Sequence, residues 1–427
     1  MIASSALSKP RMMLAAALLI VAAVIPYLPF VPLPAISDDY LQIGYSRNYV
    51  PRAHWPELAS DALYRCRATS LILTYWIDQF FGADPLPHRV ASIAIHILNV
   101  LLVAALGLWS RIGWRISLPA ALFFALREGH QEAVVWNAAI HDLLVFFFST
   151  LTLLAWIRWL QSKTTLRLVT FAILFILALF SKESAAVLPL LMLALWWLDD
   201  RSARTPLWVL GVAFAAAGLY TAATFQNSAS HLHLNDGTFS IHAPVVRTVL
   251  LSMWRLLLPW GLAACLVVFP RRTRFACGAL AFSAVVLLPY SFLTYTNHVP
   301  SRHSYWAGLG ASLLIGTAAV MLWECGKVWP RRLVVLLTVT FAIHNTAYLW
   351  GKKLPQYLAR TEATEQFLRF AAHVGPPVTI QCAPYRLEVF EYAANVQLNW
   401  PPGSVVGYEP SAPVDPKRVF CYVESEP

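Results

Sequence analysis

Apolar stretches of about twenty residues, divided by short clusters of Arg and Lys, recur along the chain from Met12 to Trp350. That length is what one α-helix needs to cross a hydrocarbon core of ~30 Å, where every backbone N–H and C=O must be satisfied inside the segment itself. The stretches fall near 12–33, 88–110, 115–134, 137–158, 167–181, 184–198, 206–225, 245–269, 275–294, 304–323 and 332–350, which predicts about eleven spans. With 58% hydrophobic and 13% charged residues, the 427-residue chain is too apolar for a soluble domain. We read an α-helical polytopic membrane protein. The run after Lys9 and Arg11 is long and lacks a small-x-small cleavage site, so it reads as an uncleaved anchor.

A net charge of +10 in a soluble protein would suggest nucleic acid. Here the basic residues punctuate short loops, which is how orientation is set, and nucleic acid is disfavoured. With Lys9 and Arg11 cytoplasmic, the inner loops carry Arg111 and Arg115, Lys163 and Arg167, Arg201 and Arg204, Arg271, Arg272 and Arg274, then Lys327, Arg331 and Arg332. The outer segments are the long ones: 34–87, 226–244 and a tail, 351–427. This predicts a bundle over 1–350 and a small extracytoplasmic α/β domain over 351–427. The tail should hold a helix at 356–373 and strands at 378–381, 387–390 and 418–423.

Charge near a bilayer is costly and tends to mark a site. Asp38 and Asp39 follow the first span, and Arg127, His130 and Glu132 are expected in the last turns of the third. Lys182 and Glu183 sit at the apex of a hairpin whose first arm is short, and Arg302 and His303 precede the tenth span. The assumed parity puts all of them on the outer side. For single residues the ordinary readings are a turn or cap for Asp38-Asp39, a snorkelling end for a lone Lys or Arg, and interhelical hydrogen bonding for His96 and Asn99. Four clusters on one face favour a polar cavity.

Phe124 to Trp136, with Arg127, Glu128, His130 and Glu132 inside it, resembles a segment of the GT-C fold polytopic glycosyltransferases, specifically the protein O-mannosyltransferase-like group. That group includes the membrane domain of the tetratricopeptide-containing O-mannosyltransferases. Other pieces agree in order: Ser37-Asp38-Asp39-Tyr40, Tyr64-Arg65, Tyr75 to Asp78, His96 to Asn99, Leu179 to Ala185 with Leu188-Pro189, and Leu287 to Pro289 before Arg302-His303-Ser304-Tyr305. The similarity covers roughly 12–325 and departs from the group at Arg127-Glu128, Ile140 and Ser301.

The resemblance implies transfer of a sugar from a polyprenyl-phosphate donor to a lipid-linked, glycan or protein acceptor on the non-cytoplasmic face, with inversion, in what would be a bacterial inner membrane. The residues suit that chemistry. Asp38 or Asp39 would take the acceptor proton, Asp38 being the first acid of the pair. Lys182, Arg302, His130 and Arg127 would hold the leaving phosphate, with Glu132, Glu183, His303 and Tyr305 orienting them. A polysaccharide polymerase or ligase, or a transporter of lipid-linked saccharides, would share a basic cavity. A transporter would place its polar groups near mid-membrane in related halves, and no repeat is visible.

No cofactor is assigned. His231, His233 and Asp236 make a weak metal site, leaving a divalent metal open but unsupported. Of six Cys, Cys382 and Cys421 lie in strand-like parts of the tail, where adjacent strands would allow a disulfide and leave Cys66 unpaired.

Overall fold

The computed structural model describes residues 8–52, 55–199, 207–294, 297–409 and 415–423. Arg201 and Arg204, expected in an inner loop, lie outside the described residues. Among the described residues, six helices are long and apolar enough to cross a membrane: Lys9–Phe30, Pro85–Leu108, Asn137–Gln161, Leu207–Gln226, Trp260–Phe292 and Val328–Val374. Four shorter apolar helices, Gly113–Leu126, Thr165–Leu179, Glu183–Trp197 and Gly308–Glu324, pack among them. The chain is an integral, polytopic α-helical membrane protein.

The short helices shape the site. Gly113–Leu126 has 14 residues, about 21 Å at 1.5 Å per residue, and cannot reach across the core. It stops at Arg127, which is extended at φ −70° and ψ 122°, and a 3₁₀ turn Glu128–His130 folds the chain back into a short helix, Gln131–Val135. Arg127, His130 and Glu132 therefore lie in a re-entrant turn, not in the last turns of a spanning helix as expected. The turn is held by its partners: Arg127 donates to the Leu256 carbonyl, and Glu128 N–H donates to Asn345 Oδ1 at 2.9 Å. Gly316 lets helix Gly308–Glu324 approach Gly113–Leu126 closely, since a Cβ there would stand 2.7 Å from Ala120 N.

The expected span 245–269 is two pieces. Helix Val245–Leu257 ends before Pro259, which has no N–H to continue the ladder, and Trp260–Leu287 follows with one non-helical residue, Arg272, after Pro270.

Residues 34–87 are mostly helical: Asp39–Tyr49, Trp55–Ser60 and the 20-residue Ala62–Phe81. The last begins where Asp61 caps Tyr64 N–H and stops at Gly82, φ 68°. Its face is inverted: Arg67, Ser70, Thr74 and Asp78 are buried, whereas Ile72, Trp76 and Phe80 point outward. Bidentate Arg47–Asp78 bonds of 2.8 and 2.7 Å and a Gln42–Thr74 bond of 3.2 Å fasten Asp39–Tyr49 to this polar face.

Helix Val328–Tyr348 runs on through a π segment, Leu349–Lys353, into Leu354–Val374, which carries the chain out of the bundle. A three-stranded parallel sheet follows, with Val378–Cys382 between Val405–Gly407 and Val419–Cys421. The strand expected at 387–390 is instead the start of helix Leu387–Leu398. Val389, Phe390, Ala393, Ala394 and Val396 recur at helical spacing and are buried there. Phe367, Phe390 and Phe420 form the core of the tail, and Ala35, Tyr40 and Ile43 from the first inter-helix segment complete it.

Cys382 and Cys421 are register partners and form a disulfide, Cα–Cα 4.6 Å, while Cys66 stays free. Closing a chain separation of 39 residues is worth about 4 kcal/mol in the chain-entropy limit. Cys382→Ser should lower the unfolding temperature of the tail and speed its proteolysis under non-reducing conditions; equal protease resistance of variant and parent would contradict this. Helix Leu387–Leu398 meets Asp39–Tyr49 at Gly44, where a Cβ would stand 2.0 Å from the Tyr392 ring. Gly44→Val should therefore loosen the docked tail, read as new cleavage within 354–398 by limited proteolysis.

Candidate active site

A cavity of about 400 Å³ opens at the end of the bundle that carries the tail. Its wall combines three carboxylates, Asp38, Asp236 and Glu388, with Arg67, Arg302, His141 and His303 from the helical part and Arg386 from the tail. Tyr45, Trp136 and Tyr385 give it aromatic surface.

The two neighbouring aspartates have different surroundings. Asp39 is 2% exposed, accepting Ile36 N–H at 2.9 Å and Ala138 N–H at 2.8 Å, so it ties the turn before helix Asp39–Tyr49 to the turn before Ile140–Gln161. Burial raises its pKa to about 6, against the pull of Arg89 and the two N–H donors. Asp38 faces the cavity, just after Ser37, whose φ of 36° bends the chain there. Burial raises the Asp38 pKa too, with Arg302, Arg386 and Arg360 opposing it.

Arg302 is held from behind. Glu132 accepts from Ser301 Oγ at 2.6 Å, from Arg302 N–H at 3.1 Å and from Arg302 Nη1 at 3.3 Å, and the guanidinium lies over Trp136, 4.9 Å from its centroid. Burial alone would raise the Glu132 pKa, but Arg302 and these donors keep it below the usual carboxylate value. Arg360 stacks near the same ring, at 5.8 Å. On the opposite wall Arg67 bonds Glu183 at 2.6 Å.

Lys182 was expected to open onto the same cavity as Arg302; it does not line it. The ammonium is fully buried, 2.5 Å from Asp142 Oδ1 and 2.9 Å from His303 Nδ1, above the Tyr290 ring. It touches the cavity wall through His303, which stacks flat on Tyr290 at 4.4 Å, and its partner Asp142 contacts a second lining residue, His141, at 3.3 Å. Burial and the Lys182 charge keep His303 neutral. With Nδ1 accepting from Lys182, Nε2 carries the proton, and that N–H has no partner among the described residues.

Arg127 and His130, expected to bind phosphate, and Tyr305, expected to orient, lie in the core. His130 packs against Phe124 at 4.3 Å and Tyr305 at 4.5 Å, and Arg127 is spent on the Leu256 carbonyl. Tyr305 OH meets His96 Nδ1 at 2.7 Å and Asn99 Nδ2 at 3.3 Å, so His96 and Asn99 do serve as interhelical bonds. The sequence reading missed Arg67, Asp142 and Arg386. Asp142 carried a signal, a charge inside an apolar span. Arg386 carried none. His231 groups with Cys66 and Glu183, not with His233 and Asp236 as the weak metal reading had it.

This arrangement of helices recurs in a solved structure. ArnT from Cupriavidus metallidurans, solved bound to undecaprenyl phosphate, matches with a TM-score of 0.54 at 13% identity, over 97% of this chain and 90% of that one. The fold is GT-C. An Archaeoglobus fulgidus oligosaccharyltransferase, solved tethered to an acceptor peptide containing the NVT sequon, matches with a TM-score of 0.47 at 10% identity, over 92% of this chain and 63% of that one. The sequence matches no family model and no curated relative.

Breaking a buried ion pair strands the remaining charge, at a cost of about 3–5 kcal/mol. Lys182→Met should destabilise the detergent-solubilised protein by that order, and Lys182→Met with Asp142→Leu should recover most of it in thermal unfolding. A single variant as stable as the parent would rule out the pair as drawn.

Proposed function

We propose that the protein is a glycosyltransferase of the protein O-mannosyltransferase-like group, moving a sugar from a polyprenyl-phosphate donor to a lipid-linked, glycan or protein acceptor. The observation that carries this reading is a cavity of about 400 Å³ whose wall holds Asp38 together with Arg67, Arg302 and Arg386; of its other two carboxylates, Asp236 pairs with Arg386 at 3.5 Å and Glu388 belongs to the tail. That is room for a sugar and a phosphate, with the prenyl chain left to the lipid. ArnT, which shares the fold, was solved with undecaprenyl phosphate.

In the proposed step the acceptor oxygen attacks the anomeric carbon from the face opposite the phosphate. The new C–O bond forms as the C–O bond to phosphate breaks, inverting the centre. The electron pair leaves with the lipid phosphate, and Asp38 takes the acceptor proton. Arg302, oriented by Glu132, and Arg67, oriented by Glu183, neutralise the growing charge, with His303 Nε2–H as a further donor. Asp39 holds the Asp38 turn in place. Lys182 and Asp142 act through His303 by fixing its tautomer.

We place the cavity on the extracytoplasmic side of a bacterial inner membrane, with the N-terminus cytoplasmic. Arg115 bonds Glu324 at 3.0 Å, which brings two of the basic inter-helix segments together. The reading divides the chain into a transferase bundle, 1–350, and a tail, 351–427, that roofs the site through Tyr385 and Arg386.

The direct test is a proteoliposome assay with a panel of polyprenyl-phosphate sugars, alongside mass spectrometry of the glycans lost on gene deletion. Asp38→Asn should reduce turnover by about 10²–10⁴ while the protein stays folded. The rate should rise with pH through a pKa above the ordinary carboxylate value, since the base acts ionised, and this limb should vanish in Asp38→Asn. Parental turnover in that variant would eliminate Asp38 as the base. Asp39 behaves differently. Its folded pKa of about 6 exceeds the ordinary carboxyl value of 3.8, so the folded state binds its proton more tightly. The resulting stabilisation, of order 2–3 kcal/mol, is present below pH ~4 and lost as pH rises through ~6. Asp39→Asn should remove that dependence, flattening the fall of Tm between pH ~4 and ~7.

A further inference from the structure

Cys66, Glu183 and His231 each offer a ligand atom within 4.8 Å of the other two. They come from three separate places: helix Ala62–Phe81, the 3₁₀ turn Glu183–Val187, and the 227–244 segment. Cys66 and His231 are buried and Glu183 is half-buried. Thiolate, carboxylate and imidazole together are a donor set for Zn²⁺, whereas Ca²⁺ and Mg²⁺ take oxygens. We propose that these three side chains bind one Zn²⁺ ion that pins the 227–244 segment to the cavity wall.

The surroundings fit. Tyr220 OH donates to Cys66 Sγ at 3.1 Å, and Thr224 Oγ1 lies 3.8 Å from it, so two hydroxyls attend the sulfur as outer partners of a metal thiolate would. Zinc binds the thiolate, not the thiol. The cation takes the proton's place, forming the S–Zn bond and releasing H⁺ to solvent. Arg67 bonds Glu183 through Oε2, which leaves the other carboxylate oxygen for the ion. His231 Nδ1 accepts Leu234 N–H at 3.3 Å, which seats the ring at the start of helix Leu232–Asn235.

The ion would organise the cavity without touching the transferred sugar. His233 and Asp236, from the same segment as His231, line the cavity, and Asp236 pairs with Arg386 of the tail at 3.5 Å. Thiolate and carboxylate neutralise the ion, so Arg67 keeps its charge for the cavity.

The test does not depend on sugar transfer. Full-length protein in detergent is equilibrated with ZnCl₂, desalted and assayed for metal by plasma mass spectrometry. About one ion per chain is expected, falling at least about five-fold in Cys66→Ser and in His231→Ala, with Cys265→Ser unchanged. Co²⁺ in place of Zn²⁺ should give a thiolate-to-cobalt charge-transfer band that Cys66→Ser abolishes. Should Cys66→Ser fail to fold, the same band is read in a variant with Cys265, Cys277 and Cys325 all changed to Ser, where Cys66 is the one free thiol. Parental protein with less than about a tenth of an ion per chain, or undiminished zinc in folded Cys66→Ser and His231→Ala, overturns the proposal.

Discussion

A single buried ion pair, Lys182 with Asp142, joins the parts of the bundle that meet beneath the cavity. Asp142 lies in the first turn of helix Ile140–Gln161, where the helix dipole favours a negative charge, and Lys182 comes from the hairpin after Thr165–Leu179. Both are almost fully buried. Desolvating each ion costs several kcal/mol, and attraction offsets this only when the remaining donors and acceptors are also met. From a third element His303 accepts from Lys182, His141 approaches Asp142 at 3.3 Å, and Tyr290 covers the group from a fourth. The hairpin can be short of the membrane's thickness because its polar apex ends here, on protein, and not in lipid.

The same logic explains the re-entrant turn after Leu126. A helix of 14 residues leaves its last carbonyls and the next polar side chains at a depth where water is scarce. Asn345 and the Leu256 carbonyl satisfy part of that segment, and Glu132 is left to be spent on Arg302. Sequence neighbours thus divide: Glu132 serves the cavity edge, while Arg127 and His130 turn into the core. A 3₁₀ turn between them, Glu128–His130, reverses the direction in which side chains point, and no periodicity in the sequence announces it.

This is why the fold class was legible and parts of the site were not. Hydropathy locates spans because lipid imposes it on every one of them, and the order of the short motifs around Asp38, Lys182 and Arg302 suffices to name a GT-C architecture. Helix Ala62–Phe81 escaped because its buried face is polar, so Arg65, Arg67 and Asp78 lower the hydropathy of a segment that is nonetheless a full helix. Arg67 was hidden with it. Arg386 stands just before a segment read as a strand, at the start of helix Leu387–Leu398, and its approach to the cavity depends on the tail's docking, a long-range contact that local pattern does not encode. The disulfide was within reach because Cys421 fell inside, and Cys382 directly after, segments read correctly as strands.

The tail's role follows from where it is anchored. Helix Asp39–Tyr49 lies between two partners: Ala62–Phe81, through Arg47–Asp78, and the tail, through Gly44 against Tyr392 and the shared core around Phe390. Asp38 precedes the first residue of that helix, so its position depends on both contacts. The same docking delivers Tyr385 and Arg386 to the cavity opposite Asp38. A fold whose roof and proposed base are set by one interface cannot lose the roof without shifting the base. The 39-residue separation closed by Cys382–Cys421 therefore acts on the site at a distance, by keeping the docked tail one cooperative unit.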